Sequence, residues 1–552
     1  MYVLGISCYY HDASAALLKD GEIVAAAEEE RFTRIKHDTS FPKNAINFCL
    51  ESQGITINDI GYIGFYEKPF LKFERLLYQV IDTFPRSWKV FIKAMPSWIT
   101  EKLRVMKAVR KMKYRGDVFF IEHHLAHAAS CFLVSPFRKA AIVTVDGVGE
   151  WTTTAYGIGR ENKIELWKHI KFPHSLGLLY STITAYLGFS VNNSEYKVMG
   201  LAAYGDPEKY YDKLRKVIDI NKDGSFRMDM SYFSYHYSDR MPSKKLFKLL
   251  GGKPGKGELT QRHKDIAAAL QKIYEEAFFK IVRHARKETK CSNLVLSGGC
   301  ALNSVANGKL KGRVWIQPNA SDGGTAMGAA AYIYFTILGN KRNYVLEHAY
   351  LGPEYKRKQI KKFLEKNNVK YSILNRKALI KKTAKLIHEN NIVAWFQGRM
   401  EWGPRALGNR SILANPCNPD ARDLLNAKVK HREMFRPFAP VVCKDDAKKF
   451  FDYNGEKATD FMLMVRKIKP GWRIPSVTHI DGTGRFQTVD KGKLYDLIKE
   501  FGRISGVPAL INTSFNVSGE PIVCTPYDAY KCMRSTKIDY LVIDNFLIKN
   551  EK

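Results

Sequence analysis

Two stretches of this chain are written to the same plan, and that repetition constrains the fold more than any other feature. Residues 2–34, YVLGISCYYHDASAALLKDGEIVAAAEEERFTR, read as an apolar strand, a turn, a second strand, a Lys-Asp-Gly turn and a third strand. Residues 140–170, AAIVTVDGVGEWTTTAYGIGRENKIELWKHI, repeat it: apolar strand, Asp-Gly turn, second strand, polar turn, third strand. Helical sequence follows each opening. The pattern predicts a duplicated α/β unit with an active cleft between its halves.

Two glycine-rich turns accompany the second repeat. Gly298 and Gly299 lie in CSNLVLSGGCALNSVANGKL (291–310), and Gly323 and Gly324 in PNASDGGTAMGAAAY (318–332), each ahead of a helix start. Such turns expose backbone amides that meet phosphate, although Gly-Gly also marks close helix–strand packing. Beyond residue 345 the texture changes. A lysine-rich amphipathic helix leads to NIVAWFQGRMEWGPRALGNRSILANP (391–416), and VPALINTSFN (507–516) and DYLVIDNFLI (539–548) read as strands of a separate mixed sheet. The expected organisation is therefore 1–345 and 346–552, and 552 residues leave room for two cores.

Composition narrows the setting. No run of about 18 apolar residues occurs, so no membrane span is expected. Asp12 and Lys19 interrupt the first apolar stretch, which predicts no signal peptide. Nine cysteines without a CxxC pair read as reduced thiols in a cytoplasmic protein. The net charge of +33 fits a polyanionic partner, but lysines recur along the whole chain, as surface composition alone would have it. The densest basic segment, 101–116, sets Leu103, Met106, Val109 and Met112 at helical spacing with cations between them, predicting a helix with a solvated basic face.

His123 and His127 in FIEHHLAHAAS stand four residues apart, on one side of a helix. That spacing suits two ligands of one metal, yet Glu122 precedes the pair, whereas zinc-protease motifs hold a glutamate between the histidines. His124 faces elsewhere and reads as structural. Asp146 ends the first strand of the second repeat and Asp322 opens a glycine turn, so all four can meet at a cleft mouth. Two imidazoles with two carboxylates, and no cysteine nearby, suit iron(II), manganese or zinc with open positions.

A second constellation is cationic. Arg405 in EWGPRALGNRS, Lys430 and Arg436 in KVKHREMFRPFAP, and Arg485 in HIDGTGRFQTV sit among Gly, Pro and aromatic residues, and NTSFN adds Asn512 and Ser514. Arginines on rigid turns suit bidentate phosphate recognition, here a small anionic phosphate compound plus a nucleotide. Glu28, Glu29 and Glu30 read as a solvated edge. Lys36 and His11, both near the first opening, are the expected contacts for an acceptor substrate.

Taken in order, GISCYYHDASAALLKDGEIVAAAEEERFTRIKHD, HHLAHAAS, VDGVGEWTTT, HSLGLLYS, KVMGLAAYG, LSGGCALN, SDGGTAMGAA, EWGPRALGNRS, FRPFAP, HIDGTGRFQTV and NTSFN resemble the NodU/TobZ-type O-carbamoyltransferase family. The phrases run from the N-terminus nearly to the C-terminus; residues 207–262, 340–390 and 445–470 carry none. The resemblance implies an actin-like, ribonuclease H-like first domain, similar to tRNA threonylcarbamoyl transferases, and a YrdC-like second domain. It implies that the second domain makes carbamoyl-adenylate from ATP, with Mg, and carbamoyl phosphate. The first then passes the carbamoyl group to a hydroxyl of a small molecule or glycan. On this resemblance Arg405, Lys430, Arg436, Arg485, Asn512 and Ser514 fall on ATP and carbamoyl phosphate contacts. His123, His127, Asp146 and Asp322 fall on an iron(II) site, and Lys36 and His11 near the acceptor. It further implies no stable nucleic-acid partner and a possible homodimer. A tRNA threonylcarbamoyl transferase is the alternative that the basic charge favours; a nucleotide-dependent scaffold without group transfer would have no use for the arginines.

Overall fold

A computed structural model describes residues 1–252, 259–430, 432–433 and 435–551. The chain forms two compact units, Met1–Val24 with Thr39–Ala306 and Leu310–Leu346, and Ala25–Asp38 with Asn307–Lys309 and Glu347–Lys552. A single cut at 345/346 leaves Ala25–Asp38 and Asn307–Lys309 out of the second unit. Two hydrogen bonds help explain their place there: Ala26 N–H donates to Leu351 O at 3.1 Å, and the Asn307 side-chain Nδ2 donates to Leu463 O at 3.1 Å.

The first repeat supplies β1 (Tyr2–Ser7), β2 (Ser14–Lys19) and β3 (Glu22–Glu28), followed by β4 (Ile60–Phe65) and β5 (Asp117–Phe120). The second supplies β6 (Lys139–Val145), β7 (Thr152–Arg160) and β8 (Lys163–Lys171). After the small hairpin β9 (Ile218–Ile220) and β10 (Phe226–Met228) come β11 (Leu294–Ser297) and β12 (Val314–Trp315). The two five-stranded sheets are ordered β3-β2-β1-β4-β5 and β8-β7-β6-β11-β12, so each repeat places its third, second, first, fourth and fifth strands in the same sequence. In both, the first strand pairs antiparallel with the second and parallel with the fourth. This is the ribonuclease H-like arrangement, twice. The Asp20-Gly21 turn takes φ of 48° and 93°, the left-handed pair that a two-residue hairpin between β2 and β3 requires.

Close packing sets the helices. The β1 and β6 runs are apolar on both faces because helices cover both. A Cβ on Gly5 of β1 would lie 1.8 Å from Ala326 O, and one on Gly328 would lie 1.9 Å from Ala126 O. Only glycine lets the helix Thr325–Ala331 lie this near both β1 and the helix His123–Phe132. The basic segment departs from expectation. Instead of one helix over 101–116 there is a 3-10 turn, Lys102–Arg104, and a helix, Val105–Lys111, that buries Val105 and Val109 while Met106 is exposed.

The second unit is built on eight strands: β13 (Ser372–Ile373), β14 (Val393–Phe396), β15 (Arg410–Ala414), β16 (Ala439–Cys443), β19 (Gln487–Val489), β20 (Ala509–Ser514), β21 (Tyr540–Ile543) and β22 (Phe546–Lys549). Between β16 and β19 in the chain, β17 (Val465–Lys467) and β18 (Thr483–Arg485) form a separate pair. The eight run β13-β22-β21-β14-β15-β20-β16-β19 with parallel pairs β14–β21 and β16–β19, a mixed sheet as expected. Its faces bury alternate residues: Val393 and Trp395 join one core cluster, Ala394 and Phe396 the other. Residues 539–548 are a hairpin rather than one strand, because Asp544 turns the chain at φ 52°.

Candidate functional site

In the first unit, four buried side chains converge. His123 and His127 leave one side of their helix, Asp146 follows β6, and Asp322 begins the turn before Thr325–Ala331. The Nε2 atoms of His123 and His127 face each other at 3.1 Å. His123 Nε2 lies 3.3 Å from Asp146 Oδ2 and 3.6 Å from Asp322 Oδ1, and His127 Nε2 lies 3.3 Å from Asp322 Oδ1 and 3.9 Å from Asp146 Oδ2. One ligand atom from each residue lies within 4.8 Å of the others.

The scaffold aims these groups. Glu150 accepts from the amides of His123, at 3.1 Å, and Lys68, at 2.8 Å, and so fixes the helix start. Ser297 Oγ meets His127 Nδ1 at 3.4 Å, leaving Nε2 for the centre. Asp146 Oδ1 accepts from Gly299 N–H at 2.8 Å, leaving Oδ2 free to point inward. Ser7 and Ser14 hold the Asp322 turn through the carbonyls of Asp322 and Gly323, at 3.2 and 2.7 Å. Gly298, at φ 93°, would drive a Cβ to 2.2 Å from Val145 O, and Gly324 would drive one to 1.8 Å from Asn319 O. These glycines serve close packing, one of the two roles weighed from sequence. His124 turns away to Thr144 Oγ1, at 2.7 Å.

The donor set fits a divalent cation. Both oxygens of Asp322 are buried and meet only imidazole nitrogens, His127 Nε2 at 3.3 Å and His11 Nε2 at 3.5 Å, an arrangement that is costly unless a cation or proton satisfies it. Two imidazole nitrogens that face each other need the same. Two neutral imidazoles and two carboxylates balance a double positive charge with the N/O chemistry that iron(II), manganese or zinc accepts. Protons take the ion's part otherwise: burial lowers His123, but Asp322 and Asp146 outweigh it and push the ring up to about 9. Burial raises Asp146, but the histidines hold it well below the usual carboxylate range.

His11 stands at this centre, its Nε2 3.5 Å from Asp322 Oδ2 and its Nδ1 2.9 Å from Asp12. Tyr10 lies beside it, its ring tilted by 41° at 4.6 Å between centroids, with the Lys72 ammonium over the Tyr10 ring. Neither Tyr10 nor the nearby buried Arg75 was singled out from sequence; Lys72 and Arg75 share the inward side of one helix, a signal that the overall lysine content hides.

In the second unit, the cationic residues sit on segments tied to one another. Lys430 is buried and donates to Ser514 O and to Asn516 O, the latter at 2.9 Å. Burial lowers its pKa well below the ordinary lysine value, and the charges of Arg432, Arg436 and Lys36 add to that. Asn512 Nδ2 donates to Gln487 Oε1 at 2.7 Å and Ala406 O at 3.2 Å, joining the strand that carries Ser514 to the segments of Arg405 and Arg485. Arg436 pairs with Glu433 at 3.4 Å. Two residues not chosen from sequence organise the arginine loop. Glu401 Oε1 accepts from the amides of Leu407, Asn409 and Arg410 at 2.8, 2.8 and 3.0 Å. Arg410, fully buried, donates to Gln397 O and stacks its guanidinium 3.6 Å above Phe396.

One expectation changes. Glu28, Glu29 and Glu30 are buried rather than a solvated edge. Glu28 accepts from Gly403 N–H at 2.8 Å, and Arg31, ion-paired to Glu28 and Glu30, donates to Gly403 O at 2.8 Å. The run is therefore a clamp on the arginine loop. Lys36 falls in the second unit, 4.0 Å from Glu30, and its charge adds to the lowering of the Lys430 pKa.

Two copies of the ribonuclease H-like sheet and the buried His/Asp cluster define an actin-like α/β protein with a candidate cation site. The chain belongs to the carbamoyltransferase family: the family's N-terminal model matches residues 2–331 and its C-terminal model residues 384–550. It is 43% identical over 595 residues to the uncharacterized protein sll1178 of Synechocystis sp., spanning 99% of this chain and 96% of that protein. It is 34% identical over 557 residues to the nodulation protein NolNO of Sinorhizobium fredii, spanning 98% of this chain and 79% of that protein. Among solved structures it aligns with component A of the Acidaminococcus fermentans (R)-2-hydroxyglutaryl-CoA dehydratase at 14% identity and a TM-score of 0.35, over 60% of this chain and 97% of that one. Among the described residues no helix is long and apolar enough to cross a membrane, and none of the nine cysteines is in a disulfide.

Proposed function

We propose that this carbamoyltransferase works in two steps, adenylation in the second unit and transfer in the first, to a hydroxyl of a small molecule or glycan. In the second unit, carbamoyl phosphate and water give carbamate and phosphate. Carbamate oxygen then bonds to the α-phosphorus of ATP, and pyrophosphate leaves. Lys430, Arg405, Arg436 and Arg485, on segments joined through Asn512 and Ser514, hold the phosphates of both substrates, with Mg as the ion that accompanies ATP.

In the first unit the acceptor oxygen bonds to the carbamoyl carbon, the bond from that carbon to the adenylate oxygen breaks, AMP leaves, and the hydroxyl proton is released to water. His11, anchored by Asp12, orients the acceptor hydroxyl. His123, His127, Asp146 and Asp322 would hold iron(II), which when bound supplies Lewis acidity toward phosphate oxygen. The absence of a general base between the histidines fits this role, because a centre that does not activate water does not hydrolyse the adenylate.

The observation that carries the reading is the convergence of the two histidines and two aspartates, in a chain whose family transfers carbamoyl groups. That family also favours a carbamoyl over a threonylcarbamoyl group, and so this reading over the tRNA one. The test is to incubate the protein with ATP and carbamoyl phosphate and to follow pyrophosphate and carbamoyl-AMP. No pyrophosphate above the level with ATP alone would refute it.

A further inference from the structure

The helix Pro69–Asp82 is inside out. Its buried residues are Pro69, Lys72 and Arg75, while Phe70 is 72% and Ile81 75% exposed, with Leu77 between them on the same side. The next helix, Trp88–Thr100, continues the exposed surface: Trp88, Ile92 and Ile99 fall at i, i+4 and i+11 and are 49%, 53% and 52% exposed. Phe84, in the connection, is 64% exposed. Exposed apolar side chains along two successive helices, linked by the Phe84–Trp88 ring pair at 6.3 Å, mark an interaction surface, because scattered single exposures do not line up this way.

The charges around it select the partner. Residues 68–115 contain thirteen Lys and Arg against three Asp and Glu. Lys68, Arg86, Lys89 and Lys93 are exposed beside the apolar stripe. Bulky apolar residues including tryptophan, rimmed by cations, match the boundary between headgroups and acyl chains of an anionic bilayer. A second copy fits less well, since a two-fold contact sets this patch against itself and brings like charges together. Nucleic acid offers phosphates but no apolar counterpart for Ile81 and Ile92.

We propose that the segment Pro69–Thr100 docks on the surface of an anionic lipid bilayer, its apolar side chains entering the headgroup layer and its lysines and Arg86 facing lipid anions. The association is peripheral, since neither helix is long and apolar enough to cross. It is independent of the catalytic reading.

The full-length protein is floated with vesicles of phosphatidylcholine alone and of phosphatidylcholine with about 30 mol% phosphatidylserine, at low and high salt. Partition into the anionic vesicles is expected to exceed that into neutral ones by about tenfold or more, and to weaken with salt. Ile81→Asp with Ile92→Asp reduces it about tenfold, and Lys89→Glu with Lys93→Glu removes the preference for anionic lipid. Circular dichroism checks that each variant is folded; should the aspartate pair unfold, the glutamate pair carries the test. Wild type that stays off both vesicles overturns the proposal. So does a folded variant that binds anionic vesicles as wild type does, or a wild-type dimer, without lipid binding, that the aspartate pair turns into monomer on sedimentation.

Discussion

Gly328 packs directly against the backbone of Ala126: a Cβ on Gly328 would stand 1.9 Å from the Ala126 carbonyl oxygen. Ala126 is the residue before His127, so this contact sets the distance between the helix carrying both histidines and the helix that Asp322 opens. A mutation here tests whether packing governs the centre. By helix propensity alone Gly328→Ala stabilises by about 1 kcal/mol. The backbone contact wins, because neither helix axis yields without disturbing buried neighbours, and the net effect is a loss of about 1–3 kcal/mol. Denaturant unfolding measures it. A stabilised variant would show that the helices part freely.

Asp146→Asn keeps the shape and keeps an oxygen for the Gly299 amide, but removes a negative charge from the cluster. We expect transition-metal content, in protein purified without chelator or air, to fall at least about tenfold at limiting metal. Elemental analysis reads this directly. Equal metal in both proteins, or none in active wild type, returns the four residues to a structural role.

The two proposed steps should separate. His127→Ala, altered only in the first unit, should release pyrophosphate at the wild-type rate and carbamoylate no acceptor. Arg436→Ala should lose the first step, since removing one partner of a charged contact costs about 2–5 kcal/mol in binding. If folded His127→Ala and Arg436→Ala lose pyrophosphate release to the same extent, the division of labour between the units is wrong.

His479 gives a pH dependence. Burial lowers its pKa from 6.5 to about 4, and the Arg485 charge adds to this against the opposing Asp481. The unfolded chain therefore takes a proton between about pH 6.5 and 4 that the folded ring refuses, so stability is full above that window and falls as pH falls through it. The loss approaches about 3 kcal/mol below the window, at 1.36 kcal/mol per unit. His479→Gln should flatten the wild-type slope in denaturation midpoints measured across that range. An unchanged slope would place the acid sensitivity elsewhere.

The opening strands of the first unit were legible because hydrophobic periodicity is local: β1, β2 and β3 and their counterparts β6, β7 and β8 each declare themselves within some thirty residues. The histidine pair was legible for the same reason, since four residues on a helix bring two side chains to one side whatever surrounds them. The family phrases singled out the arginines. What they could not supply was environment. Three consecutive glutamates look like a solvated edge until Gly403, 375 residues beyond Glu28, donates to one of them. Residues 101–116 suggest one helix, yet Val105 and Val109, not the methionines, find the core.

The sequence by itself determined the strands of the duplicated openings and the helical pairing of His123 with His127, because each rests on a pattern within a few residues. Only the tertiary structure decided that Asp146 and Asp322 meet those histidines, that Glu401 and Arg410 shape the arginine loop, and that the helix Pro69–Asp82 turns its cations inward. Each of these depends on desolvation and on partners far away in the chain, and whether a charge is buried beside a partner or left in water is a property of the packed molecule.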